Sequence, residues 1–456
     1  MTKLTNFIFR SSLAIAIIFN IVAVDRAKAE DVNDFAGLQG AIGNNSKNYI
    51  NVKQNILFGN MISIERGNLT ISGSGGNKVN LDGSNNSRLL RIRENFQDIR
   101  LENLHFTRGN TPDPNEPGGA AIYLDGKTKI TLKNVSFSNN IAENNEQIQE
   151  DDSIILYAGG GALCSQGEKG NQNILAFIGD TIFNGNKSTK NRGGAIYALL
   201  SELTFSGGRA EFTGNKSFAY GGAIYAENNT AITFSEETIF SANENTGNGF
   251  GGAIGIFDNS KFTFQKDVTF SKNVSLSQGG AINSAGDTSD FGKSRNTLLF
   301  KGNSTFDGNK VERTGDSSIF GGAINAINSD LTFGGEVVFK ENSSLFSGGT
   351  AAGNNQASGG AITIIQSSLT FEKLAIFEKN SSDWGGALFI CESVSIKFNN
   401  GLRLIENTTG NTNSGALHMQ GNSNGELAII TIIQKNPLVP TEFRGNTSED
   451  GGHNAV

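Results

Sequence analysis

The apolar and polar residues of this chain alternate with a period of two, in very short runs. Around Thr204, for example, Leu203 and Phe205 share one face and the threonine lies on the other. Glycine or asparagine ends most of these runs. Because both residue types tolerate the backbone conformations of tight turns, the pattern predicts short strands separated by sharp corners. It argues against a helical bundle.

A repeated tetrad, Gly-Gly-Ala followed by Ile or Leu, organises the chain. A variant that reads Gly-Gly-Ala-Ala-Ile begins at Gly118, and a degenerate form begins at Ser414. The basic period is about 28 residues, with insertions in several units. The full tetrads begin at Gly160, Gly193, Gly221, Gly251, Gly279, Gly321, Gly359 and Gly385.

A second motif, Phe-x-x-Asn, alternates with the tetrad, and a strand similar to Leu-Thr-Phe lies between the two. In one unit Leu404 and Asn407 fill the slot of the second motif. The other pairs are Phe137/Asn140, Phe183/Asn186, Phe212/Asn215, Phe240/Asn243, Phe270/Asn273, Phe306/Asn309, Phe339/Asn342, Phe377/Asn380 and Phe443/Asn446. Such a fixed order is not a chance effect of composition.

This order predicts an all-β fold, a right-handed parallel β-helix with three short strands in each coil of about 28 residues. One coil cannot bury its own inner face, so stacked neighbours supply the core and the hydrogen-bond partners. After the tetrad at Gly193, Ile196 is expected to point inward and Tyr197 outward. The regular repeat covers residues 118–456, and residues 30–117 are interpreted as an N-terminal cap with the first irregular coils.

The motif residues have structural roles in this interpretation. Paired glycines permit a tight corner, phenylalanines stack along the axis, and corner asparagines take a left-handed conformation and hydrogen-bond to adjacent coils. Insertions are expected as loops at one corner of the coil. They cover residues 142–157, 284–297, 311–319 and 345–358.

Composition and charge agree with a turn-rich β fold. Glycine accounts for 58 and asparagine for 56 of the 456 residues, proline occurs only 5 times, and 32 phenylalanines can fill a core. The net charge is −7 and no basic stripe is present. The sequence therefore gives no support for nucleic-acid binding or for attraction to an anionic membrane surface.

The N-terminus predicts export. A positively charged start and an apolar stretch over residues 11–24 precede an A-x-A site, which places signal cleavage between Ala29 and Glu30. Removal of residues 1–29, which carry a net charge of +3, takes the net charge from −7 to −10. The alternative is an uncleaved anchor, although a stretch of about 14 residues is short for a membrane span. No later apolar run is long enough to span.

The alternation of the two motifs behind an export signal resembles the chlamydial polymorphic membrane proteins, an autotransporter-type family, over about residues 118–446. The resemblance implies a β-helical passenger, surface-displayed or secreted, that adheres to host cells through a receptor and associates with other envelope proteins. It also links both motifs to adhesion. The matching positions in three consecutive coils are Gly193, Gly194, Ala195, Ile196, Phe212, Asn215, Gly221, Gly222, Ala223, Ile224, Phe240, Asn243, Gly251, Gly252, Ala253, Ile254, Phe270 and Asn273.

Family members continue into an outer-membrane β-barrel. The sequence after Asn446 has no series of alternating strands that would supply one, and Gly451-Gly452 stands where another tetrad is due. The resemblance and this difference together predict a passenger that is truncated before the barrel and does not itself span a membrane.

Catalytic and metal-binding chemistry has little support in the sequence. His105, His418 and His453 are far apart and lack metal-ligand spacing. Asp151 and Asp152, the only adjacent aspartates, lie in an insertion without a basic partner at coil spacing. We therefore expect a non-enzymatic protein without a metal or cofactor. Two alternatives stay open, a structural or antigenic-decoy envelope protein without a specific receptor and a β-helix carbohydrate-active enzyme.

The two cysteines, Cys164 and Cys391, follow the first glycine of their tetrads by four and six residues, which places both on the outward parity. Seven coils separate them, about 34 Å at about 4.8 Å per coil. An intrachain disulfide needs Cα atoms within about 7 Å of each other, so none is expected. Our hypothesis is that these cysteines form intermolecular disulfides in the envelope, and the alternative is two solitary thiols.

Overall fold

The computed structural model describes residues 29–448, apart from 76–77, 94–95, 114–115, 144–147, 151–153, 157–158, 248, 287–293, 314–317, 347–355, 393, 411–414, 422–427 and 434–440. The predicted signal peptide as far as residue 28, Asp151, Asp152 and His453 lie outside the described residues. Within them the regular secondary structure consists almost entirely of short β-strands.

Parallel strands stack into four long sheets, so the chain is a parallel β-helix and each regular coil contributes four strands. The prediction of three strands was wrong by one. The additional strand follows Phe-x-x-Asn and has only two residues in most coils, for example Lys216–Ser217. A segment of that length cannot display a period of two. We number the sheets in the order in which a coil visits them after its tetrad.

Sheet I follows the tetrad and contains Ile62–Ile64, Leu90–Ile92, Ile122–Asp125, Leu163–Gln166, Ile196–Leu199, Ile224–Glu227, Ile254–Phe257, Ile282–Ala285, Ile324–Ile327, Ile362–Ile365, Leu388–Cys391 and Leu417–Gln420. Sheet II contains Glu30–Val32, Tyr49–Val52, Leu69–Gly73, Ile99–Glu102, Lys129–Lys133, Asn173–Ile178, Ser201–Ser206, Ala231–Phe234, Lys261–Phe264, Asn296–Phe300, Ser329–Phe333, Ser368–Phe371, Ser395–Phe398 and Ile429–Ile432.

Sheet III carries the phenylalanine of Phe-x-x-Asn and contains Ile56–Leu57, Val79–Asp82, Leu104–Thr107, Ser136–Ser138, Thr181–Asn184, Ala210–Thr213, Thr238–Ser241, Val268–Ser271, Ser304–Asp307, Val337–Lys340, Ala375–Glu378, Leu402–Ile405 and Glu442–Arg444. Sheet IV contains Asn110–Thr111, Ile141–Ala142, Lys187–Ser188, Lys216–Ser217, Glu244–Asn245, Val274–Ser275, Lys310–Arg313, Ser343–Phe346, Ser381–Ser382 and Thr408–Thr409.

The strands stack in register, so equivalent residues of successive coils lie directly above one another. Ile196 pairs with Ile224, and Ile224 pairs with Ile254. These inward columns form one continuous hydrophobic core that extends from Val32 to Ala416. The core exists only through stacking, because each coil supplies a single layer of it.

A short helix, Phe35–Gly43, lies at the N-terminal end of the stack. Asp34 caps it by accepting a hydrogen bond from the backbone N–H of Gly37 at 2.7 Å. Leu38, Ala41 and Ile42 are buried against the first coils, so the helix covers that end of the core. Nowhere in the described part of the chain is a helix long and apolar enough to cross a membrane.

The insertions occupy two corners of the coil, whereas one was predicted. Those at 142–157, 311–319 and 345–358 connect sheet IV to sheet I, and the one at 284–297 connects sheet I to sheet II. The inserted segments add two small strand pairs, Ile148–Glu150 with Ile154–Leu156 and Ile319–Phe320 with Ala357–Ser358.

Candidate functional site

The glycines of the tetrad make the corner between sheets IV and I. The first glycine has a positive φ in each full tetrad, for example 64° at Gly193 and 63° at Gly221. A Cβ on the second glycine, such as Gly222, would overlap the carbonyl oxygen of Gly252 in the next coil. One glycine is thus required by its dihedral angle and the other by the close approach of the backbones.

The asparagines of Phe-x-x-Asn form a continuous buried ladder. Asn215 donates from Nδ2 to Oδ1 of Asn243 at 3.0 Å and to the carbonyl of Phe183 at 3.0 Å. Its backbone N–H also donates to Asn243 Oδ1 at 3.0 Å. The predicted hydrogen bonding between coils is confirmed. The predicted left-handed conformation is wrong for the asparagine, because the preceding residue adopts it, as at Gly214 and Ala242.

The phenylalanines of sheet II and those of sheet III form two separate stacked ladders along the axis. In sheet III, Phe240 stacks on Phe212 and Phe270 with ring centroids 4.8 and 4.9 Å apart and interplanar angles of 7° and 4°. In sheet II, Phe234 stacks on Phe264 at 5.1 Å. Rings of different ladders meet edge to face, as Phe234 and Phe240 do at 5.9 Å and 88°. Both arrangements suit the quadrupole of the aromatic ring.

All eighteen motif residues predicted for adhesion, from Gly193 to Asn273, are buried. Their side chains therefore present no surface that a receptor can reach while the chain is folded. A role of these residues in binding stays a prediction, and it would act through the shape of the coil rather than through direct contact.

The residue after each tetrad points away from the main core, but it is also buried, which corrects the expectation of an exposed position. Tyr197, Tyr225, Asn283 and Asn325 are at most 2 % exposed. Residues that stand directly before a tetrad of the preceding coil contact this column. Gln278, for example, accepts a hydrogen bond from Nδ2 of Asn325 at 2.9 Å.

Cys164 belongs to this covered column and is fully buried, where it packs in a small cluster with Tyr123 and Tyr197. Burial raises the pKa of its thiol to about 12. A second molecule cannot reach this thiol in the folded chain, so an intermolecular disulfide at Cys164 would require local unfolding. Cys391 is half-buried, and burial also raises the pKa of its thiol. A disulfide through Cys391 stays a prediction.

His105 and His418 lie on different sheets and do not form a shared site. Nε2 of His105 lies 2.7 Å from Oγ of Ser138, and burial lowers the pKa of the imidazole. His418 stacks on Phe389 at 5.3 Å. In the described ranges, no group of three or more His, Cys, Asp or Glu residues is arranged to hold a metal ion.

A charged and aromatic cluster, which we did not predict, lies on the outer side of sheet I. Glu227 accepts hydrogen bonds from Oη of Tyr197 and of Tyr225, both at 2.7 Å, and pairs with Arg192 at 3.3 Å. The guanidinium of Arg192 lies over the rings of Tyr220 and Tyr225, 4.9 and 4.8 Å from their centroids. These contacts join three successive coils.

The electrostatics of this cluster follow from its burial. Burial and the neighbouring carboxylate of Glu227 raise the pKa of Tyr197 and Tyr225 well above 10, so both phenols stay protonated and donate. Burial alone would lower the pKa of Arg192, but Tyr225 and Glu227 raise it. The arginine therefore stays charged.

An open cleft of about 420 Å³ lies against the cluster, lined by Arg192, Leu199, Tyr220, Tyr225, Glu227, Asn228, Phe257 and Asp258. One signal in the sequence could have indicated it. Tyrosine follows the tetrad at Tyr197 and again at Tyr225, and an arginine stands directly before a tetrad at Arg192. The period shows that these positions recur, but it does not show that they meet.

Two family models match parts of the chain. A pectate lyase-like adhesive domain matches residues 29–142. The Chlamydia polymorphic membrane protein repeat matches residues 134–166, 180–199, 210–227 and 267–285. Searches of curated proteins and of solved structures gave no match. The repeat matches include the tetrads at Gly160, Gly193, Gly221 and Gly279 and therefore coincide with the β-helical coils described above.

Proposed function

We propose that this chain, a protein of the chlamydial polymorphic membrane protein type, is an exported β-helical passenger that binds host cells and is not an enzyme. The repeat matches and the adhesive-domain match support a surface passenger or adhesin. Host-cell binding and the surface location go beyond what these matches support, and they are what we propose.

The main support for the proposal is a difference between the residues that point into the coil and those that point out of it. The repeated motif residues are buried, whereas the outward column of sheet III changes from coil to coil through Ile182, Glu211, Ile239 and Thr269. Because coil formation requires only the inward residues, the outward positions are available to form a recognition surface. A rigid rod with such a surface suits adhesion.

The proposed absence of enzymatic activity is supported by the contacts of the glutamate in the cleft, Glu227. Both carboxylate oxygens of Glu227 are already engaged by Tyr197, Tyr225 and Arg192. A carboxylate whose two oxygens already accept hydrogen bonds within the protein is poorly placed to exchange a proton with a substrate.

Binding of the purified chain of residues 30–456 to cultured epithelial cells tests the proposal. We expect saturable binding of fluorescently labelled protein that excess unlabelled protein displaces. Binding no stronger than that of labelled albumin would refute the adhesin and favour a structural or antigenic role. Turnover of any polysaccharide in a broad panel would refute the non-enzymatic assignment.

Surface location needs a separate measurement on bacteria that express the full chain. Brief protease treatment of intact cells, followed by mass spectrometry, should release peptides from the outer faces of sheets II and III. Recovery of these peptides only after cell lysis would contradict export to the surface.

A further inference from the structure

The cleft beside Arg192 lies where one coil lacks a side chain in the covered column of sheet I. Gly255 occupies the register position that Tyr225 fills in the preceding coil and Asn283 in the next. The ring of Tyr225 and the Cβ of Tyr220 lie beside this glycine, and the ring centroids of Tyr220 and Phe257 are 5.3 Å apart. A bulky side chain at Gly255 would occupy this space, so the local sequence creates the aromatic wall of the cleft.

The base of the cleft is polar, but its polar groups already have partners within the protein. Glu227 is 8 % exposed, and its charge is balanced by Arg192 together with two phenolic hydrogen bonds. A charged group that entered the cleft would find no uncompensated opposite charge at the base. The base therefore favours a neutral ligand.

The wall and the rim differ in character. Phe257 and Tyr220 are half-buried and expose part of their aromatic surface, whereas Asn228 is exposed and Asp258 half-exposed at the corner that follows the strand. Sugars present C–H groups on their ring faces and hydroxyls around their edges, so they match an aromatic wall beside amide and carboxylate groups. The volume of about 420 Å³ lies within the usual range for small-ligand sites, about 300–1,000 Å³.

We propose that this cleft binds a neutral sugar residue of a host glycan. Phe257 stacks on the sugar face, and Asp258 and Asn228 hydrogen-bond to its hydroxyls. The inference rests on the proposed adhesive function, because it names the chemical class of the partner. It makes the cleft, rather than the buried motif residues, a point of contact.

Charge argues for a neutral glycan over an acidic one. The cleft lining carries one positive and two negative side chains, Arg192 against Glu227 and Asp258. The whole chain is also net negative at −7. Sulfated or sialylated glycans would therefore meet repulsion from the cleft lining and from the rest of the molecule.

Saturation-transfer-difference NMR on the chain of residues 30–456 tests the proposal, with the methyl glycosides of glucose, galactose and N-acetylglucosamine as probes. Phe257→Ala should weaken binding by about tenfold or more. Asp258→Asn should weaken it less, because the amide keeps the shape and one acceptor. Ile327→Ala is the matched control, since Ile327 holds the same register position two coils later. It should leave binding unchanged.

The same measurement includes sialyllactose, a heparin hexasaccharide and a trimethyllysine peptide. Binding of one of these in preference to the neutral glycosides would overturn the proposal. It would also be overturned if no neutral glycoside bound, or if all variants, each with the parent's circular dichroism spectrum, bound equally. Cell binding without glycoside binding would refute this inference alone, whereas loss of both would also refute the adhesin.

Discussion

Replacing one asparagine of the buried ladder tests whether the ladder holds neighbouring coils together. In Asn186→Ala the coil loses an amide that is fully buried. That amide donates from Nδ2 to the carbonyl of Phe137 at 3.1 Å and to Oδ1 of Asn215 at 3.0 Å. Its Oδ1 accepts from the backbone N–H and from Nδ2 of Asn140, at 3.1 and 2.9 Å.

The expected loss follows from these four contacts. Asn140 loses partners for its backbone N–H and for one amide hydrogen, and the carbonyl of Phe137 loses one donor. The Oδ1 of Asn215 keeps its bond from the backbone N–H of Asn186. Each buried polar group left without a partner costs about 1–3 kcal/mol. A water molecule that entered the vacated space would recover part of this cost, so we expect about 4 kcal/mol in total.

Hydrogen exchange measures this loss locally, which suits a solenoid whose coils contribute to stability individually. A loss of about 4 kcal/mol corresponds to about a thousandfold faster exchange of the Asn140 amide. Asn184→Ala is the matched control, because Asn184 lies two residues away in the same Phe-x-x-Asn motif and its side chain is exposed. It should change exchange by less than about threefold.

Equal exchange in the Asn186 and Asn184 variants would refute the reasoning, because it would mean that backbone pairing alone holds the coils together. An Asn186→Asp variant provides a second check. Its carboxylate would face the acceptor oxygens of Phe137 and Asn215, and its pKa would be raised in the folded state. The melting temperature of the variant should therefore approach that of the parent near pH 4 and fall below it as the pH rises towards 8. The opposite trend would contradict the ladder geometry.

Three further outcomes are expected. Gly222→Ala should lower the melting temperature far more than Gly214→Ala, because a Cβ at Gly222 would overlap backbone, whereas Gly214 has open space and only a positive φ of 62°. Phe240→Ala should cost about 3–5 kcal/mol in chemical denaturation and Phe240→Leu clearly less, since leucine refills most of the stacked layer; equal losses would contradict this. A thiol reagent should modify Cys391 in the native chain and Cys164 only after denaturation.

The recurrence of motifs made most of the fold predictable. The strands at Ile62–Ile64, Leu69–Gly73 and Leu104–Thr107 coincide with apolar runs in the sequence, and the inward positions of the regular coils lie in the core. The residues that point inward could be predicted for two reasons. Successive side chains of a strand point to opposite faces, and the phenylalanine and isoleucine positions recur in every regular coil. The strands of sheet IV were missed because two residues carry no period.

The candidate site was much less predictable. Parity correctly placed Cys164 and Tyr197 away from the core, but parity does not show whether another segment covers a face. Gly159 lies against the ring of Tyr197, and both Cys164 and Tyr197 pack in one cluster with Tyr123 and Tyr225, so both side chains are buried. Apart from Tyr225, which lies in the same strand as Glu227, the partners of Arg192 and Glu227 belong to neighbouring coils and to corners whose paths are not encoded in a local pattern.

The sequence alone thus determined a stacked β-helix, because each coil must bury its inward residues against equivalent residues of its neighbours. Only the tertiary structure decided which outward positions reach solvent. Gly255 gives the physical reason, since the absence of one side chain there lets Tyr220 and Phe257 approach and opens a cleft beside Arg192. Such an arrangement depends on distances between coils, which a one-dimensional period does not contain.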